Sequence, residues 1–182
     1  MALTSGTDAI QMLVNFSSNV SSSFINLAFT LGSLFAVVGA VTYLAHQASA
    51  SRKAPGQSQG SGKVIIWLLL CGGLAGLEQM IQAGARQVGW QGATFDAISY
   101  VDVGTYGVAA DAANALLTLV RMLGVWFAMQ GVLTWRRSLK DGHTGLSAGQ
   151  DVSTGTLKFV LGVFCVCNPY LLDALQKSLG ML

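Results

Sequence analysis

The sequence predicts an all-α protein, integral to a membrane or forming a filament, built as two tandem helix–basic loop–helix hairpins with an N-terminal amphipathic segment. Three observations lead there. Hydrophobic residues make up 52% of the 182 residues and charged residues only 10%, with a mean hydropathy of +0.55. A soluble domain carries about 25% charged residues, so much of this surface must face lipid or other apolar protein. Phe24 to Leu44 is an uncharged run of 21 residues, long enough at about 1.5 Å per residue to cross a roughly 30 Å hydrocarbon core. The third observation is an internal repeat, described below.

The elements follow in chain order. The opening stretch MALTSGTDAIQMLVNF carries Asp8 and no basic cluster, so it does not read as a cleaved signal and is expected to be retained. Ile10, Leu13, Val14 and Val20 can share one face of a short interfacial helix, and the Ser-rich SSNVSSS predicts a break after it. Phe24–Leu44 is the first span. AHQASASRKAPGQSQGSGK, with Pro55 and many Gly and Ser, reads as a loop. Val64–Leu77 is apolar but short and is followed at once by Glu78, so it spans only if Gln79–Trp90 extends it.

Residues 79–111 mix Arg86, Asp96, Asp102 and Asp111 with glycines and aromatics, which suits helices at or outside the membrane surface. Ala112–Trp135 is the next apolar run, broken only by Arg121; Arg136–Thr156 is a second polar loop; Leu157–Leu172 is the last apolar segment. Asn168-Pro169 inside it should kink or end the helix. The chain is then one domain, with hairpins at about 24–78 and 112–176 around a connecting segment, 79–111.

Charge orients this layout. The two loops and their edges hold Arg52, Lys53, Lys63, Arg136, Arg137, Lys140 and Lys158 against Asp141 and Asp151, a net +5, while the rest of the chain is net −3. Basic loops belong on the cytoplasmic side. Four spans with both termini outside satisfy that rule.

The repeat is the most informative feature. TLGSLFAVVGAVTY (30–43) and MLGVWFAMQGVLTW (122–135) share Leu, Gly, Phe, Ala, Gly and Thr without a gap, and Tyr43 matches Trp135. Each is followed by a basic Gly/Ser loop, a lysine and an apolar run. Gly32, Ala36, Gly39 and Ala40, echoed by Gly124, Ala128 and Gly131, are small residues that let helices approach closely. Tyr43, Trp67 and Trp135 sit beside the basic loops, as interfacial anchors do.

A second register comes from charge. Lys63 to Glu78, Arg121 to Arg136 and Lys158 to Asp173 are each separated by 15 residues. On straight helices that puts Glu78, Arg121 and Asp173 at one depth, about 22 Å from the basic end. An unpaired charge there costs roughly 2.5–3.5 kcal/mol on insertion scales. The expectation is that Arg121 pairs with Glu78, Asp173 or both, within a subunit or between subunits; the alternative is that all three lie near the outer interface and stay solvated.

Reactive chemistry is not expected. The sequence has no phosphate-loop, dinucleotide-binding, zincin or nucleophile-elbow motif. His46 and His143 lie in or beside polar loops, and Cys71, Cys165 and Cys167 read as apolar fillers. The prediction is a non-enzyme without metal or cofactor.

Uncharged spans, Gly/Ala stripes and a basic loop between paired helices resemble the pilins of type IV secretion and conjugation systems. The repeated LGxxFAxxGxxT[YW] element resembles the small membrane proteins of type IVB systems: IcmC/DotE, IcmD/DotP, and TraQ and TraR of IncI-type conjugation, with TraQ-like proteins nearest in length and duplication. The resemblance covers roughly residues 24–78 and 116–176. It implies a structural subunit of a conjugative pilus, made in the bacterial inner membrane and assembled into a cell-surface filament. Its basic residues would then face the lumen, phospholipid headgroups or transported single-stranded DNA. Its partners would be itself, phospholipid and other secretion-system membrane proteins. Such pilins carry one hairpin per chain and this sequence carries two. The alternatives are an inner-membrane scaffold of the same apparatus, or a small channel or transporter.

Overall fold

The computed structural model describes residues 2–53, 61–139 and 145–179. Among them the chain is all-helical: α1 (Ala2–Lys53), α2 (Ser61–Ala75), α3 (Leu77–Gln87), α4 (Val103–Tyr106), α5 (Val108–Ser138), α6 (Gly145–Val166) and α7 (Asn168–Ser178). Helices α1 and α5 are each long and apolar enough to cross a membrane. The pairs α2–α3 and α6–α7 bend by 93° and 78°, and each pair makes one further candidate span.

Helix α5 is the hub. It lies parallel to α1, since Phe24 meets Trp126 near the middle and Phe35 meets Arg136 near the end. Antiparallel to it runs α6, while α2 runs antiparallel to α1. The core gathers where these faces meet, around Leu74, Leu77, Ile81, Val125, Met129, Val132 and Val166.

The duplication holds in three dimensions, at the offset of 92 residues that relates Gly32 to Gly124. Gly32 faces Leu74, and Gly124 faces Val166. Tyr43 stacks on Trp67 with ring centroids 4.8 Å apart, and Trp135 meets Phe159 at 5.3 Å. Each second helix then breaks, at Gly76 and at Cys167, into a bent helix of 11 residues. Pro169 explains the second break, because its ring cannot continue the preceding turn.

Several expected boundaries move. No break follows the N-terminal stretch, because α1 is continuous through Ser17–Ser23. Ser17, Ser18 and Ser22 donate to the carbonyls of Val14, Asn15 and Asn19 on the preceding turn, so the hydroxyls are satisfied without leaving the helix. Ser17 and Ser21 are buried, and Ser17 lines a cavity shared with Asn114 and Thr118 of α5. At 52 residues α1 is about 78 Å long. The polar loops are also shorter than expected: Arg52, Lys53, Lys63, Arg136, Arg137 and Lys158 all sit on helices, and Lys140 lies outside the described residues. The 92-residue offset pairs Lys63 with Gly155 and Ile66 with Lys158, so the two lysines are not equivalent, and Lys158 is one turn deeper.

Candidate functional site

Two places concentrate polar groups on this apolar scaffold. The first is the basic end, where the hairpins are pinned together. Trp67 Nε1 donates to the Gly39 carbonyl at 3.2 Å. Arg136 lies over the Trp67 ring, 4.9 Å from its centroid, and its Nη1 donates to the Phe35 carbonyl at 3.0 Å. The guanidinium fills the notch at Gly39, where any Cβ would collide with it. Gly39 therefore makes room for a cation from the other hairpin, whereas Gly131 packs directly on the backbone of α6.

Beside Arg136 a cleft of about 470 Å³ opens between α1 and α5, walled by Phe35, Val38, Thr42 and Leu133 and flanked by Arg137. Arg136 Nε is buried there without a hydrogen-bond partner among the described residues. Arg137 is largely exposed and only loosely paired, 3.8 Å from Asp151. Arg52 and Lys63 are exposed further out, Lys158 is half-buried, and the Lys53 side chain lies outside the described set.

The second place is at the opposite end. Asn114, Thr118 and Arg121 form one buried stripe on α5, at i, i+4 and i+7, and grip the connecting segment 88–102 by its backbone. Asn114 Oδ1 accepts from the amides of Tyr100 and Val101, and its Nδ2 donates to the Val101 carbonyl. Thr118 Oγ1 accepts from the Ile98 amide at 3.1 Å. Arg121 donates through Nε to the Val166 carbonyl at 3.2 Å and through Nη1 to the Asp96 carbonyl. Non-helical backbone near a membrane needs such partners, because lipid offers none.

The expected ion pairs of Arg121 do not form within the chain. Glu78 accepts from Gln82 Nε2, and Asp173 accepts from the Tyr100 hydroxyl at 2.8 Å. The reason is geometric: the bends at Gly76 and Cys167 fall between Lys63 and Glu78 and between Lys158 and Asp173. Fifteen residues there do not measure 22 Å of straight helix. Only Arg121 to Arg136, both on α5, keeps the assumed rise.

The small residues are placed as follows. Gly32, Ala36, Gly39, Gly124, Ala128 and Gly131 are buried and Ala40 is half-buried. A Cβ on Gly124 would meet the Gly162 carbonyl oxygen at 2.7 Å, and one on Gly131 would meet the Gly155 carbonyl oxygen at 2.7 Å. Gly155 and Gly162, not anticipated from the sequence, thus oppose Gly131 and Gly124 at the same seven-residue spacing. Asn114 and Thr118 were also missed, although their i, i+4, i+7 spacing with Arg121 in an apolar run was a usable signal. Among the described residues no group of three or more His, Cys, Asp or Glu could hold a metal.

Segment 88–102, held on the end of α5 by Asn114, Thr118 and Arg121, forms a cap on the helices, and Tyr100 makes this cap sensitive to high pH. Burial, then its hydrogen bond to Asp173 and that carboxylate's charge, push the phenol above its ordinary value of 10.0. The fold thus favours the neutral phenol. That contribution is fully present below the unfolded value near pH 10 and is lost as pH rises through the raised folded value. Tyr100→Phe is expected to remove this alkaline step from a pH series of melting temperatures. A step that persists in the variant would place its origin elsewhere.

Comparison with known proteins returns no matching family model, no matching curated protein and no matching solved structure. The class of molecule that the fold itself defines is an all-helical protein with two helices, or up to four spans, able to cross a membrane.

Proposed function

We propose that the chain is a structural subunit of a type IV secretion apparatus, residing in the bacterial inner membrane and polymerising into a conjugative pilus at the cell surface. The observation that carries this reading is the duplicated, glycine-packed hairpin whose outward faces stay apolar. Leu34, Val37, Val38 and Val41 on α1, and Ile65, Ile66, Leu68 and Leu69 on α2, are exposed. Lipid covers such faces before assembly, and other copies of the chain cover them afterwards. Close Gly–backbone contacts make each hairpin a stiff unit that can move from one setting to the other.

Phospholipid is the proposed small partner. The cleft at the basic end offers apolar walls for an acyl chain, with Arg136 and Arg137 at its edge for a phosphate, and basic pockets between helices at the cytoplasmic side suit anionic headgroups. Arg52, Lys63 and Lys158 extend that charge toward headgroups or, in a filament, toward a lumen carrying single-stranded DNA. A second reading, an inner-membrane scaffold of the same machine, is favoured by one feature. The bent helices α3 and α7 and the gripped segment 88–102 form a built surface at the far end that a simple pilin hairpin does not need.

The test is electron microscopy and mass spectrometry on material sheared from cells expressing the whole transfer system. Filaments composed mainly of this chain are the expected result. Filaments lacking it, with the chain left in the inner membrane, would overturn the pilus assignment in favour of the scaffold.

A further inference from the structure

Arg121 is buried at 4% exposure, yet both groups that hold it are neutral carbonyls. Those two bonds fix the plane of the guanidinium through Nε and Nη1. The remaining nitrogen, Nη2, has no hydrogen-bond partner among the described residues, and it is not sealed from solvent. Arg121 lines a pocket of about 190 Å³ together with Thr94, Ala97, Ser99, Tyr100 and Pro169. The Thr94 and Ser99 hydroxyls make no hydrogen bond to another described protein group. A buried cation whose hydrogen bonds all go to neutral carbonyls is costly in a low-dielectric setting even with the Asp96 charge nearby, and a charge-assisted bond to an oxyanion is its strongest available partner.

We propose that this pocket is a carboxylate-binding site, in which Arg121 Nη2 and the Thr94 and Ser99 hydroxyls receive the two oxygens. Size and charge select the class. At about 30 Å³ per water the pocket holds a carboxylate with room for its first waters. The exposed Asp96 acts electrostatically on Arg121, and Asp173 sits at Tyr100 on the pocket wall; these carboxylates oppose a dianion such as sulfate about twice as strongly as a monoanion, so the site prefers the monoanion. The carboxylate comes either from a small acid or from an Asp or Glu of another polypeptide. The site rests on the cap geometry and is independent of the pilus reading.

The test uses the full-length protein in detergent micelles, melted in sodium acetate against sodium chloride and sodium sulfate at equal ionic strength, with tryptophan fluorescence as the readout. Acetate is expected to raise the melting temperature saturably, and sulfate is not. Ser99→Asp supplies the carboxylate from within the chain. This variant is expected to melt higher than wild type in chloride and to have lost the acetate response. Equal melting of the wild type in acetate and chloride, or an acetate response that survives in Ser99→Asp, would overturn the site. Native mass spectrometry of the same two proteins separates the sources. Fewer oligomers in Ser99→Asp assign the carboxylate to a second copy of the chain, and unchanged oligomers assign it to a small acid or to a different protein.

Discussion

Gly162→Leu is expected to prevent α5 and α6 from packing. A Cβ at this position would lie 2.6 Å from the Ala128 amide nitrogen and 2.7 Å from the Gly124 carbonyl oxygen. Those atoms belong to the backbone of a 31-residue helix, so no rotamer change can relieve the collision. Overpacking that side chains can absorb costs about 1–3 kcal/mol. Here the helices must separate along their whole contact, and the expected loss is at or above the top of that range. Tryptophan fluorescence melts in detergent would show this as a large drop or as no cooperative transition. Gly149→Ala and Gly72→Ala are the controls, because a Cβ at either meets nothing within 4 Å. Each lies in a helix and is expected to gain about 0.5–1 kcal/mol from propensity alone. If Gly162→Leu melts with wild type, the two backbones are not in contact there.

What was legible from the sequence follows from where the duplication stayed similar. The first helix of each hairpin kept its residues, so the repeat alone marks Gly32, Gly39, Gly124 and Gly131 as packing positions. The second helices kept their register but changed their residues: Trp67 stands where the other half has Phe159, and Leu74 where it has Val166. The lysines that follow each loop are displaced by one turn relative to each other, which hid Gly155 and Gly162. Pro169 announced its bend chemically, while Gly76 carried a bend of 93° on a residue that occurs throughout these helices. The serine run failed as a breaker because a serine hydroxyl can bond backward along its own helix, and composition alone does not say which choice wins. The cap was hidden for a different reason. Its partners are the backbone carbonyls and amides of residues 96–101, and backbone groups carry no residue-type signal.

The same distinction decides what Arg121→Met should do. Read as half of an ion pair, Arg121 would leave a buried carboxylate stranded on removal, and the damage would centre on Glu78 or Asp173. The structure places the damage at the cap. The substitution deletes two charge-assisted hydrogen bonds, each about 1.5–3 kcal/mol, and recovers roughly 2.5–3.5 kcal/mol for no longer burying the charge. The balance runs from about zero to a loss of about 3.5 kcal/mol, with a midpoint near about 1.5 kcal/mol, and the Asp96 and Val166 carbonyls are left without their donor. Asn114 and Thr118 still hold residues 98–101, so segment 88–102 should loosen first around Asp96 and the glycine-packed α5–α6 contact last. Hydrogen exchange in detergent is the direct measure. Amides near Asp96 are expected to exchange much faster in Arg121→Met, while those around Gly124 and Gly162 keep wild-type protection. Arg121→Lys keeps the charge but loses the fork that reaches two carbonyls at once, and it should fall between the two. Uniform loss of protection across α5 and α6 would show that Arg121 supports the hairpin rather than the cap.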